Sequence, residues 1–322
     1  MMDRKPEVNA YTYHIKNPLV LECGETLQDL KIRYTTLGDL NSEKSNVVWV
    51  FHALTGNSDP TEWWPALVGS GKIIDPSEHF IVCANMLGSC YGSTEADGFD
   101  FPLITIADQV ACFRLLKEHL GISTIRLGIG GSMGGQQLLE WAVQEPSVFE
   151  TIVPIATNAK HSPWGIAFNE TQRMAIKNDP ENGIATARAI AMLSYRHYQT
   201  YGETQQHPDQ RADQFLASSY QNYQGKKLQN RFSPFSYYCL SKAMDSHHVG
   251  RGFSSDVEAL NRIRSRAIVI GIDTDVLFPV AEQQWIAEHI TDSSFHELKS
   301  LYGHDGFLIE IDQIEEILKK EL

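Results

Sequence analysis

Nowhere does the 322-residue chain hold an apolar run long enough to cross a bilayer, so no membrane-spanning segment is expected. Basic residues are scarce. There are 27 Lys and Arg against 40 Asp and Glu, a formal net charge of −13, and no basic run. That leaves no electrostatic footprint for nucleic acid. The five cysteines, Cys23, Cys83, Cys90, Cys112 and Cys239, are odd in number and scattered. With no C-x-x-C and no His/Cys ligand spacing, neither a disulfide framework nor a metal site is expected. Reduced thiols in the cytoplasm are the expectation that follows. Met1-Met2-Asp3-Arg4-Lys5-Pro6-Glu7 has no apolar core and does not read as a signal peptide.

What the chain does hold is a series of short apolar runs. Asn46–Phe51, Phe80–Met86, Thr124–Ile129, Thr151–Ala156 and Ala267–Ile272 are continuous enough to be parallel strands buried on both faces. Pro154 marks a point where one side of its ladder is incompletely paired. Residues 11–35 alternate apolar and polar, the pattern of antiparallel strands with one wet face. Phe295–Leu298 is a short last strand. Helical spacing marks Ile106–His119, stopped by Gly121, then Val280–His289 and a final helix running close to Leu322. From residue 159 to 250 buried runs cease and Gln, Asn, Tyr, Arg and His dominate. We read residues 1–322 as one α/β domain, a mostly parallel sheet flanked by helices, carrying residues 159–250 as an inserted helical lid. Within the lid, residues 203–214 are polar enough for an exposed loop.

Gly130-Gly131-Ser132-Met133-Gly134 joins the third buried run to a helical segment. A G-x-S-x-G on such a turn holds the serine hydroxyl clear of the backbone at a helix N-terminus, where the dipole favours developing negative charge. Serine is a poor nucleophile at neutral pH and needs a base. His304, after the last strand, follows an acid at the end of the preceding one, and the order Ser, Asp, His is that of the α/β-hydrolase fold. Asp273 and Asp275 both fit the acid, and periodicity does not choose between them. The loop His52–Asn57 stands where this fold supplies one backbone N–H to the oxyanion; the second comes from the residue after the serine, giving Leu54 and Met133. His52 itself reads as a structural histidine at a strand end, since the base comes late in this order. Cys90, in the glycine-rich loop Leu87–Thr94, has no local histidine to make it a nucleophile.

Several longer motifs are more specific than the serine turn: His52-Ala53-Leu54-Thr55-Gly56, Ala84–Thr94, Gly130–Gly135, Ala167-Phe168-Asn169-Glu170, Ser241–Asp245, Asp275-Val276-Leu277-Phe278-Pro279 and Gly303–Phe307. Together, in order from residue 47 to 310, they resemble the homoserine O-acyltransferase family of methionine biosynthesis. The resemblance implies a homoserine O-acetyltransferase reaction, in which an acetyl group passes from acetyl-CoA to the serine and then to the side-chain hydroxyl of L-homoserine. It selects Asp275 as the acid of a Ser132–His304–Asp275 triad. It also implies Arg188 as the holder of the substrate carboxylate and Asp305, otherwise read as a helix cap, as the acid facing the substrate amine. The expected partners are small molecules, L-homoserine and acyl-CoA, with no bound cofactor, and a homodimer built through the lid tyrosines Tyr195, Tyr198, Tyr220 and Tyr223. A carboxylester hydrolase with the same triad, and a transferase using succinyl-CoA or serine, are the alternatives. Two departures from the family pattern, Glu95-Ala96 and the short connection after Asn178-Asp179-Pro180, are expected near the entry of donor and acceptor.

Overall fold

The computed structural model describes residues 8–206, 208, 209 and 212–322. The charged N-terminus Met1–Glu7 and, in the polar stretch 203–214, His207, Gln210 and Arg211 lie outside the described residues. The strands are β1 (Asn9–His14), β2 (Leu19–Val20), β3 (Thr26–Leu27), β4 (Lys31–Leu37), β5 (Val47–Phe51), β6 (Phe80–Ala84), β7 (Ile125–Gly131), β8 (Phe149–Ile155), β9 (Arg266–Ile272) and β10 (Ser293–Leu298). Eight of them form one sheet in the order β1-β4-β6-β5-β7-β8-β9-β10, and β2 pairs with β3 alone. β1, β4 and β6 meet antiparallel, and every later pair is parallel.

The uniform apolar runs have a simple cause. Side chains alternate across a strand, and here both faces are covered. Val47, Trp49 and Phe51 of β5 point into one core with Phe113, Trp141 and Phe149. Val48 and Val50 point into the other with Ile129, Ile314 and Leu318. The helices Ile106–His119 and Met133–Gln144 cover the first face, and Ile311–Glu321 covers the second. Thr105 and Asp108 cap the helix Ile106–His119 reciprocally, and Gly121, just past its end, takes φ +65. Pro154 acts as read from the sequence: the β8·β9 ladder pairs Thr151 and Ile152, skips Val153 and Pro154, and resumes at Ile155.

Between β8 and β9 the described chain forms six helices; five, Pro163–Asn178, Gly183–Tyr195, Tyr198–Thr204, Leu216–Gln229 and Pro234–Asp245, belong to the insertion, and Asp256–Asn261 follows it. The third of these runs into the stretch read as loop. Their apolar faces build a third core with the strand-end loops, in which Ile184, Ala187, Tyr237 and Leu240 pack on Leu54, Met86, Met133 and Phe278. The two ends of this insertion are clasped. Lys160 bridges His248, His161 N donates to His247 O at 3.0 Å, and Val249 N donates to Ala159 O at 2.9 Å. Among the described residues no helix is long and apolar enough to cross a membrane.

Candidate active site

The serine turn is set by sterics. Ser132 sits at φ +58, ψ −126 between β7 and the helix Met133–Gln144, a left-handed conformation that a side chain rarely adopts without imposed strain. Two glycines allow it. A Cβ at Gly134 would lie 2.3 Å from the Phe51 carbonyl oxygen, and one at Gly130 would lie 2.7 Å from the Gly134 carbonyl carbon. Strand and helix therefore touch backbone to backbone. Ser132 N donates to Ile155 O at 2.9 Å, and Thr157 Oγ1 donates to Ser132 O at 2.9 Å.

Ser132 Oγ lies 2.9 Å from His304 Nε2, and His304 Nδ1 lies 2.6 Å from Asp275 Oδ2. The hydroxyl thus donates to a ring whose other nitrogen donates to a carboxylate, which fixes the tautomer a general base needs. The other oxygen, Asp275 Oδ1, accepts the backbone N–H groups of Leu277 at 2.8 Å and Phe278 at 2.9 Å. The motif Asp-x-Leu-Phe is therefore an acid aimed by its own turn, with Phe278 then stacking on the His304 ring at 5.0 Å. All three side chains are buried. Asp273, the competing acid, faces elsewhere: it accepts from Ser300 N at 3.1 Å and lies 3.5 Å from Lys299 Nζ.

Leu54 and Met133 are buried, and among the described residues their N–H groups donate to no other protein atom. His52 has a definite task beside them. Its Nδ1 is 2.9 Å from Ala53 O, which also accepts Gly56 N at 2.8 Å. Burial pushes the imidazole down to about 4, partly opposed by that bond, so the ring is a neutral donor. Because C=O and N–H oppose each other across a trans peptide, fixing Ala53 O aims the Leu54 N–H the other way.

A cleft of about 500 Å³ opens over Ser132 and His304, floored by Ala53–Asn57 and walled by Arg188, Tyr195, Lys227 and Arg231 of the insertion. Arg188 is half-buried, its guanidinium 5.1 Å over the Tyr195 ring, and it has no ion pair among the described residues. Asp305 lines the same cleft. It occupies the N-cap position of the short helix Gly306–Ile309, but its side chain caps nothing. Instead its Oδ2 lies 3.0 Å from Arg196 Nε, an ion pair whose N–H is not aligned as a hydrogen bond. Burial raises the Asp305 carboxyl, against the charges of Arg196, Arg188 and His304. Behind the triad, Glu282 accepts from Asn158 Nδ2 at 3.2 Å. Burial pushes its carboxyl up to about 7, the Asn158 bond opposing and the Asp275 charge adding.

Three expectations need correcting. Tyr195, read as an interface residue, lines the cleft under Arg188 because its helix turns that face inward. Of the other tyrosines, Tyr220 packs on Tyr201 at 5.9 Å, while Tyr198 and Tyr223 are exposed. Neither Glu95-Ala96 nor Asn178-Asp179-Pro180 lines the cleft. Ala96 is buried in the first core, and Asp179 closes a helix turn by accepting Asn182 N at 3.0 Å. Cys90 lies outside the lining; its sulfur accepts Ser233 N at 3.5 Å, and burial raises its thiol. Arg196, Arg231 and Lys227 were not singled out by sequence, since a lone cation carries no periodic or motif signal.

A family model described as alpha/beta hydrolase fold matches residues 46–310. The homoserine O-acetyltransferase of Cyclobacterium marinum is 47% identical, over 97% of this chain and 95% of its own. Among solved structures, the homoserine O-acetyltransferase of Bacillus anthracis superposes with a TM-score of 0.88 at 21% identity, covering 96% of both chains. Esterase E22 superposes equally well, TM-score 0.88 at 20% identity, over 98% of this chain and 99% of its own. Backbone shape alone thus matches a transferase and a hydrolase to the same degree.

Proposed function

The chain belongs to the homoserine O-acetyltransferases, within the α/β-hydrolase fold, and from that premise we propose that it moves an acetyl group from acetyl-CoA to the side-chain hydroxyl of L-homoserine, the family's step in methionine biosynthesis. Ser132 Oγ attacks the thioester carbonyl while His304 Nε2 takes its proton. The tetrahedral oxyanion faces the N–H groups of Leu54 and Met133, the kind of stabilisation worth about 3 kcal/mol per donor. As the C–S bond breaks, the imidazolium protonates the leaving thiolate. Homoserine then enters, His304 removes its hydroxyl proton as the oxygen attacks the acyl carbon, and the imidazolium passes that proton to Ser132 Oγ as the acyl–serine bond breaks. Asp275 holds the ring and supports its charge throughout.

The observation that carries this reading over an esterase is Arg188, an unpaired guanidinium in the cleft of a chain with net charge −13. A guanidinium binds both oxygens of a carboxylate, and an amino-acid acceptor supplies one. Asp305, across the cleft, is the counter-charge for its ammonium. The insertion acts as a lid that keeps water from the acyl-enzyme. We also assign the protein to the cytoplasm, which its five free thiols support. Homodimerisation through the insertion is favoured by its exposed apolar side chains, among them Trp164, Met174, Leu193 and Tyr198.

A steady-state assay pairing acetyl-CoA or succinyl-CoA with homoserine, serine or water tests the assignment. O-acetylhomoserine formed faster than acetate is the expected result. Acetate as the main product in the presence of homoserine would make the protein an esterase.

A further inference from the structure

The turn Ala53–Gly56 is held from two sides. From the core, His52 and Gly56 N fix the Ala53 carbonyl. From the insertion, Arg231, which follows the helix Leu216–Gln229, reaches the same turn: its Nη1 donates to Thr55 O at 2.7 Å and to Tyr91 OH at 2.8 Å, and its Nη2 lies 3.3 Å from Thr55 Oγ1. The His52 ring of the core clasp is buried, whereas Arg231 is exposed at the cleft mouth. Trp63 adds a third tie, Nε1 donating to Asn57 O at 3.0 Å.

We propose that Arg231 is a positioning residue through which the insertion steadies the oxyanion turn, so that the Leu54 N–H, oriented by His52, is held in place at full strength while the insertion is seated. Leu54 and Thr55 are the central pair of a turn closed by Gly56 N–H on Ala53 O. The peptide plane before Leu54 carries the acceptor of that closing bond, and the plane after Thr55 carries its donor. His52 fixes the plane that carries the Leu54 N–H. Arg231 adds a second hold on the plane after Thr55, the one whose Gly56 N–H closes the turn, and cross-links it through Tyr91 to the loop beyond β6. Without the guanidinium the Thr55 carbonyl has water as its alternative partner, the closing bond from Gly56 N–H to Ala53 O is left as the single hold on that plane, and the turn, Leu54 with it, gains freedom to shift. Seating the insertion, which brings Arg188 over the serine, thereby also completes the acyl-transfer geometry. Opening it would loosen both.

This inference rests on the assignment of the Leu54 N–H as an oxyanion donor. The test compares wild type with Arg231→Ala and Arg231→Lys, using acetyl-CoA and the neutral ester p-nitrophenyl acetate as acyl donors. Outright loss of an oxyanion donor costs about 10²–10³ in turnover, so a misaimed donor should slow acylation by about tenfold. The same loss is expected for both donors, with KM changing less than about twofold, and the affinity of a boronic-acid transition-state analogue should fall in parallel. Added guanidinium ion should restore part of the Arg231→Ala rate and leave wild type unmoved, an effect a merely unstable fold would not give. A loss confined to KM for acetyl-CoA would mean that Arg231 reads an anionic group of the donor, and the positioning role would be withdrawn; unchanged acylation in both variants would overturn it equally. If wild type acylates from the ester but not from acetyl-CoA, the transferase reading fails, while the Arg231 comparison still stands on the ester.

Discussion

On the core wall of the cleft, every polar group of the triad already has a protein partner: Ser132 on His304, His304 on Asp275, and Asp275 on two backbone N–H groups. On the insertion wall, Arg188 and Lys227 have no hydrogen-bonded or ionic partner among the described residues, and Arg231 spends its donors on a turn at the rim. The first wall is finished before substrate arrives, which is what electrostatic stabilisation of a transition state requires. The second is left unsatisfied, and on the proposed reading a substrate with the right charges completes it. On that reading the core carries bond-making and the insertion carries the carboxylate's cation, while Asp305, the chain neighbour of His304, is a recognition group that the core itself supplies.

Removing the nucleophile should break this arrangement most severely. Ser132→Ala is expected to lower transfer by about a millionfold, the scale seen when a triad nucleophile is lost, with the melting transition retained. Mass spectrometry after incubation with acetyl-CoA should find an acetyl adduct on wild type and none on the variant. Next, Asp275→Asn should cost about 10⁴ in turnover through the wrong imidazole tautomer. Asp273→Asn, whose partners are Ser300 N and Lys299, should cost less than about threefold by the same assay, since it touches no triad member. The reverse ranking would misassign the acid.

A change on the insertion wall should separate the half-reactions. Arg188→Ala should still form acyl-enzyme from acetyl-CoA but slow transfer to homoserine by about 100-fold, in line with loss of one partner of a buried charge pair. Equal slowing of both steps would place Arg188 with the donor or the fold. The smallest expected effect is on stability. Glu282 ionises at about 7 in the folded chain against 4.5 for the unperturbed group. The unfolded state therefore releases this proton first, so stability falls as pH rises from about 4.5 to about 7 and levels above. Glu282→Gln should remove that component, read as a smaller difference between urea midpoints at about pH 5 and about pH 8. Identical differences in both proteins would mean that Glu282 does not titrate there.

The sheet was legible because parallel strands buried on both faces leave an unbroken apolar run, as in Val47–Phe51 and Phe80–Ala84. Ends were less so. β7 continues through Gly130 and Gly131, which look like turn residues but pair with Pro154 and Ile155. β10 begins at Ser293 and Ser294, polar because it is an edge strand. In the site, Ser132, Asp275 and His304 sit at strand ends that the fold's chain order makes predictable, and the structure brings them into one hydrogen-bonded line. Arg231 could not be read: its partner Thr55 lies 176 residues away, and nothing local marks a guanidinium that folds back on a turn. Arg196 beside Asp305 is the same case.

The clasp of Lys160 against His248 bears on how such a protein can diverge. The insertion leaves the sheet after β8 and rejoins it at β9, the neighbouring strand. Its ends are pinned together by backbone hydrogen bonds that do not depend on side-chain identity. Lengthening a closed excursion of this kind costs only about 0.6 kcal/mol per doubling. Changes of length beyond the neck therefore leave strand register alone, while the side chains that pack on Leu54 and Met133, and Arg231 on Thr55, still tie the insertion to the site. The neck thus marks where the insertion can be cut, and a chimera joined at residues 160 and 248 is expected to keep the sheet while changing the cleft wall that carries Arg188.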